Sequence, residues 1–319
     1  MDSMNDYNSL PGLNYSGMKD LAVSPLRFWH LHINPNRPEP ETTPAMAFGS
    51  ALHCKVLEPD KFDDRYCKAF DAAMYPGALR TIEDLRGWLR CHDLKPTGTT
   101  KADLIERVIA AGCEIPILDV LERQHASEIG DREILSADFW RDVHGAAGAL
   151  YAEPSFMALL ELGIPEVKMV ATDPKTGVPL KCRADLVGDG WILDVKTFSQ
   201  QRGKSIDKTI TDALWFDHYL WQAYLYSYIR SLQPGAPKIK DSRFIFAFFE
   251  STEPYEVRLR EIVPVMGEVS MYWEWARNEV NALIRQYSEC LERWGENPWR
   301  GQAEVNALVD EEIKQLAWV

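Results

Sequence analysis

Asp194 and Lys196 stand two residues apart in GDGWILDVKTF (188–198), so on an extended chain they share one face. The Asp189-Gly190 dipeptide favours a two-residue type I′ loop. That loop sets Gly188 opposite Trp191, Asp185 opposite Asp194 and Arg183 opposite Lys196. A four-residue turn, Pro174 to Gly177, then sets Glu166 opposite Asp185. Three carboxylates from three adjacent strands fall in one row. Directly opposed like charges destabilise a sheet by roughly 0.2–1 kcal/mol per pair even at exposed sites. A divalent cation among the oxygens removes the conflict, and hard Mg²⁺ prefers carboxylate and water ligands. Such an ion activates a bound water and neutralises a phosphate, and a second ion ~4 Å away stabilises the leaving oxygen. Lys196 is placed to orient or deprotonate the water. The alternative is a solvated sheet face with its charges outward.

The elements that must position this row are legible around it. Cys182, Ala184, Leu186, Leu193 and Val195 alternate with the charged residues and form a core face. The period shifts from helical to alternating over 166–198, with turn signals at DPKTG and GDG, so three strands are expected there. SRFIFAFFE and YEVRLREI read as further strands. Helices are expected over 12–34, where SPLRFW carries a Ser-Pro start, over 45–57 and 117–160, over an aromatic-rich 207–232, and over a long amphipathic 265–293.

Composition narrows the class. The chain has 319 residues, enough for one large core or a core plus a small module. Hydrophobic content of 46% with 11 Trp, 12 Tyr and 12 Phe describes a folded globule, not a disordered chain. No run of eighteen apolar residues appears, and MDSMNDYNSLPG lacks the basic start and apolar core of a secretory signal. Six cysteines without CxxC spacing argue for free thiols in a reducing cytoplasm and against a zinc or iron–sulfur site. The net charge of −13 is uneven: residues 250–319 hold 14 acids and 7 bases, whereas 181–245 hold 10 bases and 7 acids. A nucleic-acid surface is therefore compatible with the composition, but only as a local one.

Glu166, then Asp185, then Asp194-Val195-Lys196 resembles the metal-binding core of the PD-(D/E)XK nuclease superfamily. GSALH (49–53) resembles the GxxxH motif of its RecB-like branch, and QAYLY (222–226) the QxxxY motif. YSGMKDLAVSPLRFW, AMAFGSALHCKVLEPDKF and ENPWRG resemble segments of the exodeoxyribonuclease VIII (RecE-type) nuclease domain. One departure is Ala184, where the superfamily motif often has proline before the aspartate; this position does not touch metal. The resemblance implies an α/β fold, a central mixed β-sheet flanked by helices. It implies a catalytic set of Glu166, Asp185, Asp194 and Lys196 with Gln222 and Tyr226, and metal ligation by His53, Glu166, Asp185, Asp194 and the Val195 carbonyl. His53 is otherwise a core histidine, and Gln222 and Tyr226 a packing stripe with Trp215 and Tyr219. Arg27, Arg183 and Arg202 are candidates for phosphate contacts.

Residues 76–115 interrupt the resemblance and divide the chain into 1–75, the insertion, and 116–319. TIEDLRGWLRCHDLKPTGTTKADLIERVIAAG (81–112) resembles SAP and helix–extended-loop–helix modules, with Leu85, Leu89, Leu94, Leu104, Ile105 and Val108 as a small core. Thr99, Thr100 and Lys101 at the second helix start are candidate phosphate contacts. Six bases against five acids over 80–107 leave the module only weakly basic, so a weak DNA tether is expected before a protein contact.

The expected activity is that of a Mg²⁺-dependent exodeoxyribonuclease, with two ions and with Mn²⁺ as a substitute, degrading one strand of linear duplex DNA from its end. The resemblance implies 5′→3′ polarity, 3′ overhangs for phage-type recombination, and a ring-shaped homo-oligomer, a trimer or tetramer, working with a single-strand annealing protein. It also implies a phage or prophage origin and a bacterial cytoplasm. Two rivals are a structure-selective endonuclease using the same site and a catalytically silent DNA-binding protein.

Overall fold

The computed structural model describes residues 7, 9–39, 42–262, 265, 266, 268, 269 and 271–300. Helix α1 (Tyr15–Val23) leads into the short α2 (Pro25–Phe28), where the Ser24 hydroxyl accepts the Arg27 amide at 3.0 Å and Pro25 fills the first helical position. Helix α3 (Pro44–Leu57) starts the same way on Thr43 and Pro44. There follow α4 (Pro59–Arg65), β1 (Tyr66–Lys68), α5 (Ile82–Cys91), α6 (Lys101–Ala110) and α7 (Leu118–Ile129). Strand β2 (Glu133–Leu135) pairs in parallel with β1 and precedes α8 (Ala137–Ala152) and α9 (Pro154–Leu162). Strands β3 (Ile164–Thr172), β4 (Pro179–Gly188) and β5 (Trp191–Phe198) come next, then α10 (Ile206–Phe216) and α11 (Tyr219–Ser231). Strands β6 (Arg243–Glu250) and β7 (Val257–Ile262) and helix α12 (Met271–Trp294) complete the larger elements.

Two compact units result. One is drawn from Met1–Thr42, Ala158–Phe248 and Arg258–Val319, the other from Thr43–Met157 and Phe249–Val257. The first is organised on a mixed five-stranded sheet in the order β3-β4-β5-β6-β7. Its core joins β4 and β6 residues such as Leu180, Phe244, Phe246 and Phe248 to α11, which is buried along nearly its whole length, and to α12. At the edge of this core Trp299 is fully buried, stacked on Phe28 at 5.2 Å and edge-on to Tyr287 at 5.6 Å. Segments SPLRFW and ENPWRG therefore meet in one aromatic cluster; Gly301 lies outside the described residues.

Three sequence expectations change. The helix expected over 207–232 is two helices, because His218 takes a left-handed φ of +59° that no helix continues through. The long helix begins at Met271 rather than 265, after the two-residue strands Val265–Met266 and Glu268–Val269. The span 117–160 is three helices with β2 between the first two.

The second unit contains the whole inserted segment. Helices α5 and α6 each open with a capping box, Thr81 with Asp84 and Thr100 with Asp103. Leu85, Leu89, Leu104, Ile105 and Val108 form the small core as the sequence indicates, joined by Ile117. Leu94 does not take part: it lies beyond the end of α5 and is 37% exposed. Among the described residues no helix is long and apolar enough to cross a membrane.

Candidate active site

The β4–β5 hairpin carries the first two acids. Gly188 pairs with Trp191 and Leu186 with Leu193, the register expected from sequence, although the turn differs. Only its second central residue, Gly190, has a positive φ (+73°), whereas a type I′ turn needs two. The register survives because other contacts fix it. Arg230 donates to the Gly188 and Trp191 carbonyls at 2.6 and 2.7 Å, and the Trp191 indole lies so close over Gly188 that a Cβ there would meet it at 2.1 Å.

Strand β3 supplies the third acid. Its pairing with β4 is regular on both sides of Glu166, with Pro165 opposite Leu186 and Val167 opposite Ala184. Glu166 itself has φ +56°, a left-handed conformation unusual for a non-glycine inside a strand. Strain of this kind persists only where surroundings enforce it, and it concentrates at functional positions. Arg183 donates from Nε to Glu166 at 3.0 Å.

The expected core face, Cys182, Ala184, Leu186, Leu193 and Val195, is buried throughout. The acid face is buried too: Asp185 is 6% and Asp194 2% exposed, which excludes a solvated row of charges. Asp185 Oδ2 accepts the Val195 amide at 2.6 Å. Burial, and then the Asp194 charge, raise the Asp185 pKa well above the ordinary carboxylate value. Asp194 is held at both oxygens: Gln222 Nε2 donates to Oδ1 at 2.6 Å and the Lys196 ammonium lies 2.5 Å from Oδ2. Burial opposes the charge on Lys196, but Asp194 and Asp185 outweigh it and raise the lysine above its usual value. The Lys196 ammonium also lies 5.0 Å from the centre of the Tyr219 ring.

Tyr219, Gln222 and Tyr226 lie one helical turn apart on α11. Gln222 is 3% exposed and committed to Asp194, so it is more than a packing residue. Tyr226 is buried edge-on to Phe244, and burial, then the Asp194 charge, keep its phenol neutral. Trp215 leaves this group and packs on Tyr272 and Trp275.

Glu166 and Asp185 each offer a carboxylate oxygen, at most 4.8 Å apart. Two oxygens on one Mg²⁺ at ~2.1 Å span no more than ~4.2 Å, a separation within that bound, so Glu166 and Asp185 would hold such an ion. A buried and a half-buried carboxylate, the buried one with its pKa raised by burial and then by the Asp194 charge, suit a hard divalent cation.

The remaining candidates lie on other elements. His53 is half-buried on α3, in the second unit; no packing contact among the described residues demands a glycine at Gly49, four positions earlier. Arg27 is paired with Asp20 at 2.9 Å, and Arg202 lies exposed in the loop after β5. In the insertion, Asp103 accepts the Thr99 and Thr100 amides and the Thr99 hydroxyl, and Lys101 pairs with Asp119 at 2.6 Å. Groups expected to receive a phosphate thus already have a carboxylate. Sequence reasoning missed Tyr15, Lys19 and the contact of Tyr219 with Lys196. Spacing alone could have flagged Tyr219, one turn before Gln222.

Comparison with known proteins bears on the family and the fold. Residues 14–306 match the family described as "PDDEXK-like domain of unknown function (DUF3799)". No curated protein matches the chain in sequence. A crystal structure from Eubacterium rectale, described as a "Putative exonuclease", is similar with a TM-score of 0.52 at 13% identity, covering 91% of this chain and 87% of that one; this likeness shows the fold. A second structure, SSO0001, covers 76% of this chain and 86% of its own at 14% identity, but its TM-score of 0.24 supports no inference. The family match spans nearly the whole chain, and the chain belongs to the DUF3799 family of PDDEXK-like domains.

Proposed function

We propose that this protein is a Mg²⁺-dependent deoxyribonuclease that degrades one strand of linear duplex DNA from its end. The observation that carries this reading is the buried pair Asp185 and Asp194 with the half-buried Lys196, bound to Val195 and Gln222 and joined by Glu166. A divalent ion supplies Lewis-acid activation of water and charge neutralisation at the phosphate. Glu166 and Asp185 hold it, with His53 and the Val195 carbonyl as further ligands on the strength of the motif resemblance. Lys196, kept charged by Asp194, orients the nucleophilic water and offsets charge on the phosphoryl oxygens. Gln222 fixes the Asp194 rotamer. The description of the E. rectale neighbour as an exonuclease supports attack at ends. Polarity of 5′→3′, 3′ overhangs for recombination, a ring-shaped homo-oligomer and an annealing partner rest on the RecE-type resemblance alone.

The test is digestion of end-labelled linear and covalently closed circular duplexes with Mg²⁺, Mn²⁺ or chelator. Loss of the linear substrate only is expected. Cutting of the closed circle would establish the endonuclease rival, and no cutting with either metal would leave the DNA-binding rival.

For the insertion, Asp103 at the α6 start favours a protein contact over the DNA tether. Deleting residues 78–114 and bridging the gap with a flexible linker then leaves the salt dependence of duplex binding unchanged. A shallower slope restores the tether.

A further inference from the structure

Three carboxylates and two paired cations make the site a poor host for a DNA strand, which brings one negative charge per nucleotide. Arg183 is neutralised by Glu166 and Lys196 by Asp194. A strand must therefore meet a cation without a dedicated acid.

Lys19 on α1 meets that description. It is half-buried, and its ammonium lies 4.7 Å from the centre of the Tyr15 ring. The adjacent Asp20 is committed to Arg27 and His32, each at 2.9 Å. The Tyr15 hydroxyl donates to the Asp217 carbonyl, in the corner between α10 and α11. From that corner Tyr219 covers Lys196. Two lysines, each over a tyrosine ring, thus flank one corner beside the acid cluster; among the described residues only Lys196 has a carboxylate at ion-pair distance, while Asp217 and Asp20 act on Lys19 through their charge. Burial, and then the Lys196 charge, lower the Lys19 pKa, a cost that a bound phosphate would offset.

We infer that Lys19 is a phosphate-binding residue of this site, gripping a backbone phosphodiester oxygen of the strand entering it. This rests on the nuclease reading for its substrate but not for its test. Lys19→Met and Lys19→Gln keep the stem over Tyr15 and remove the charge; Lys19→Arg keeps the charge. Duplex binding is followed by fluorescence anisotropy over a range of salt in divalent-free buffer, so no cleavage intervenes. Both neutral variants are expected to bind about tenfold more weakly, with the log–log salt slope shallower by about 0.9, and the arginine variant to keep the wild-type slope. In the wild type, bound duplex is expected to shield Lys19 from acetylation as read by mass spectrometry, a measurement that needs no variant to fold. Unchanged slopes in the neutral variants, or equal acetylation with and without duplex, overturn the inference. A wild type that binds duplex but never cuts it defeats the nuclease reading alone, and one that binds no duplex defeats both.

Discussion

Gln222 donates its side-chain amide to Asp194 at 2.6 Å across 28 residues of sequence, from a buried helix to a buried strand. Substitution by leucine keeps the volume and removes the donor, leaving Asp194 with Lys196 as its partner. A hydrogen bond to a charged group is worth about 1.5–3 kcal/mol. Gln222→Leu should lose about that much stability in urea unfolding and most of its cleavage. Full activity would reduce Gln222 to packing.

Lys196→Met should abolish cleavage and also destabilise the fold, because Asp194 stays buried without its cation. The expected cost is about 3 kcal/mol, the low end for a buried pair, since the Lys196 side chain keeps 18% exposure. Adding Asp194→Asn should restore most of the stability and none of the activity. Thermal melts of the single and double variants measure the coupling.

Asp185 gives a pH signature. Its folded-state pKa lies above the unfolded value near 3.8, so between the two values the folded chain holds a proton that the unfolded chain has released. Metal-free stability therefore falls as pH rises from 3.8 through the raised value. Asp185→Asn removes this titration while keeping an oxygen for the Val195 amide. In chelator at pH 7 the variant should melt no lower than wild type, with any advantage vanishing below pH 3.8. Mg²⁺ should raise the melting temperature of wild type and not of the variant. A clear drop for the metal-free variant at pH 7 would count against the repulsive acid pair.

His53→Ala should weaken Mg²⁺ activation of cleavage more than it weakens stability. If unfolding is the main effect in a melting experiment, His53 is a core histidine and not a ligand.

Gly188→Ala tests the hairpin. The added Cβ would lie 2.1 Å from the Trp191 indole, and overpacking of this kind costs about 1–3 kcal/mol. Urea unfolding should report that loss, and cleavage should fall as the β4–β5 hairpin that carries Asp185 and Asp194 shifts.

The acid row was legible because strand alternation and two turns are local signals that fix which residues face each other. The burial of that row was not: nothing in the spacing shows that α11 supplies Gln222 to Asp194, so charges on a sheet face could equally be solvated. The same limit explains His218, whose left-handed φ splits an apparently continuous helix. The start of α6 shows a related limit. A Thr-Thr-Lys helix start looks like an anion cradle until the carboxylate three residues after Thr100 is seen to close it. Tyr15 and Lys19 come from a segment far from the strands in sequence, and only tertiary structure brings them to the α10–α11 corner.

The Trp29 indole donates to the Glu296 carbonyl at 2.7 Å, 267 residues away, beside the stack of Phe28 on Trp299. Closing so long a loop carries an entropic cost that the aromatic cluster must recover at the end. During synthesis, α1 and α2 leave the ribosome well before residues 296–299 and wait for them before this cluster can form. A nascent chain stopped before Trp299 leaves Phe28 without its stacking partner, however complete the β4–β5 hairpin already is. The cluster therefore forms only after every strand of the five-stranded sheet has been translated.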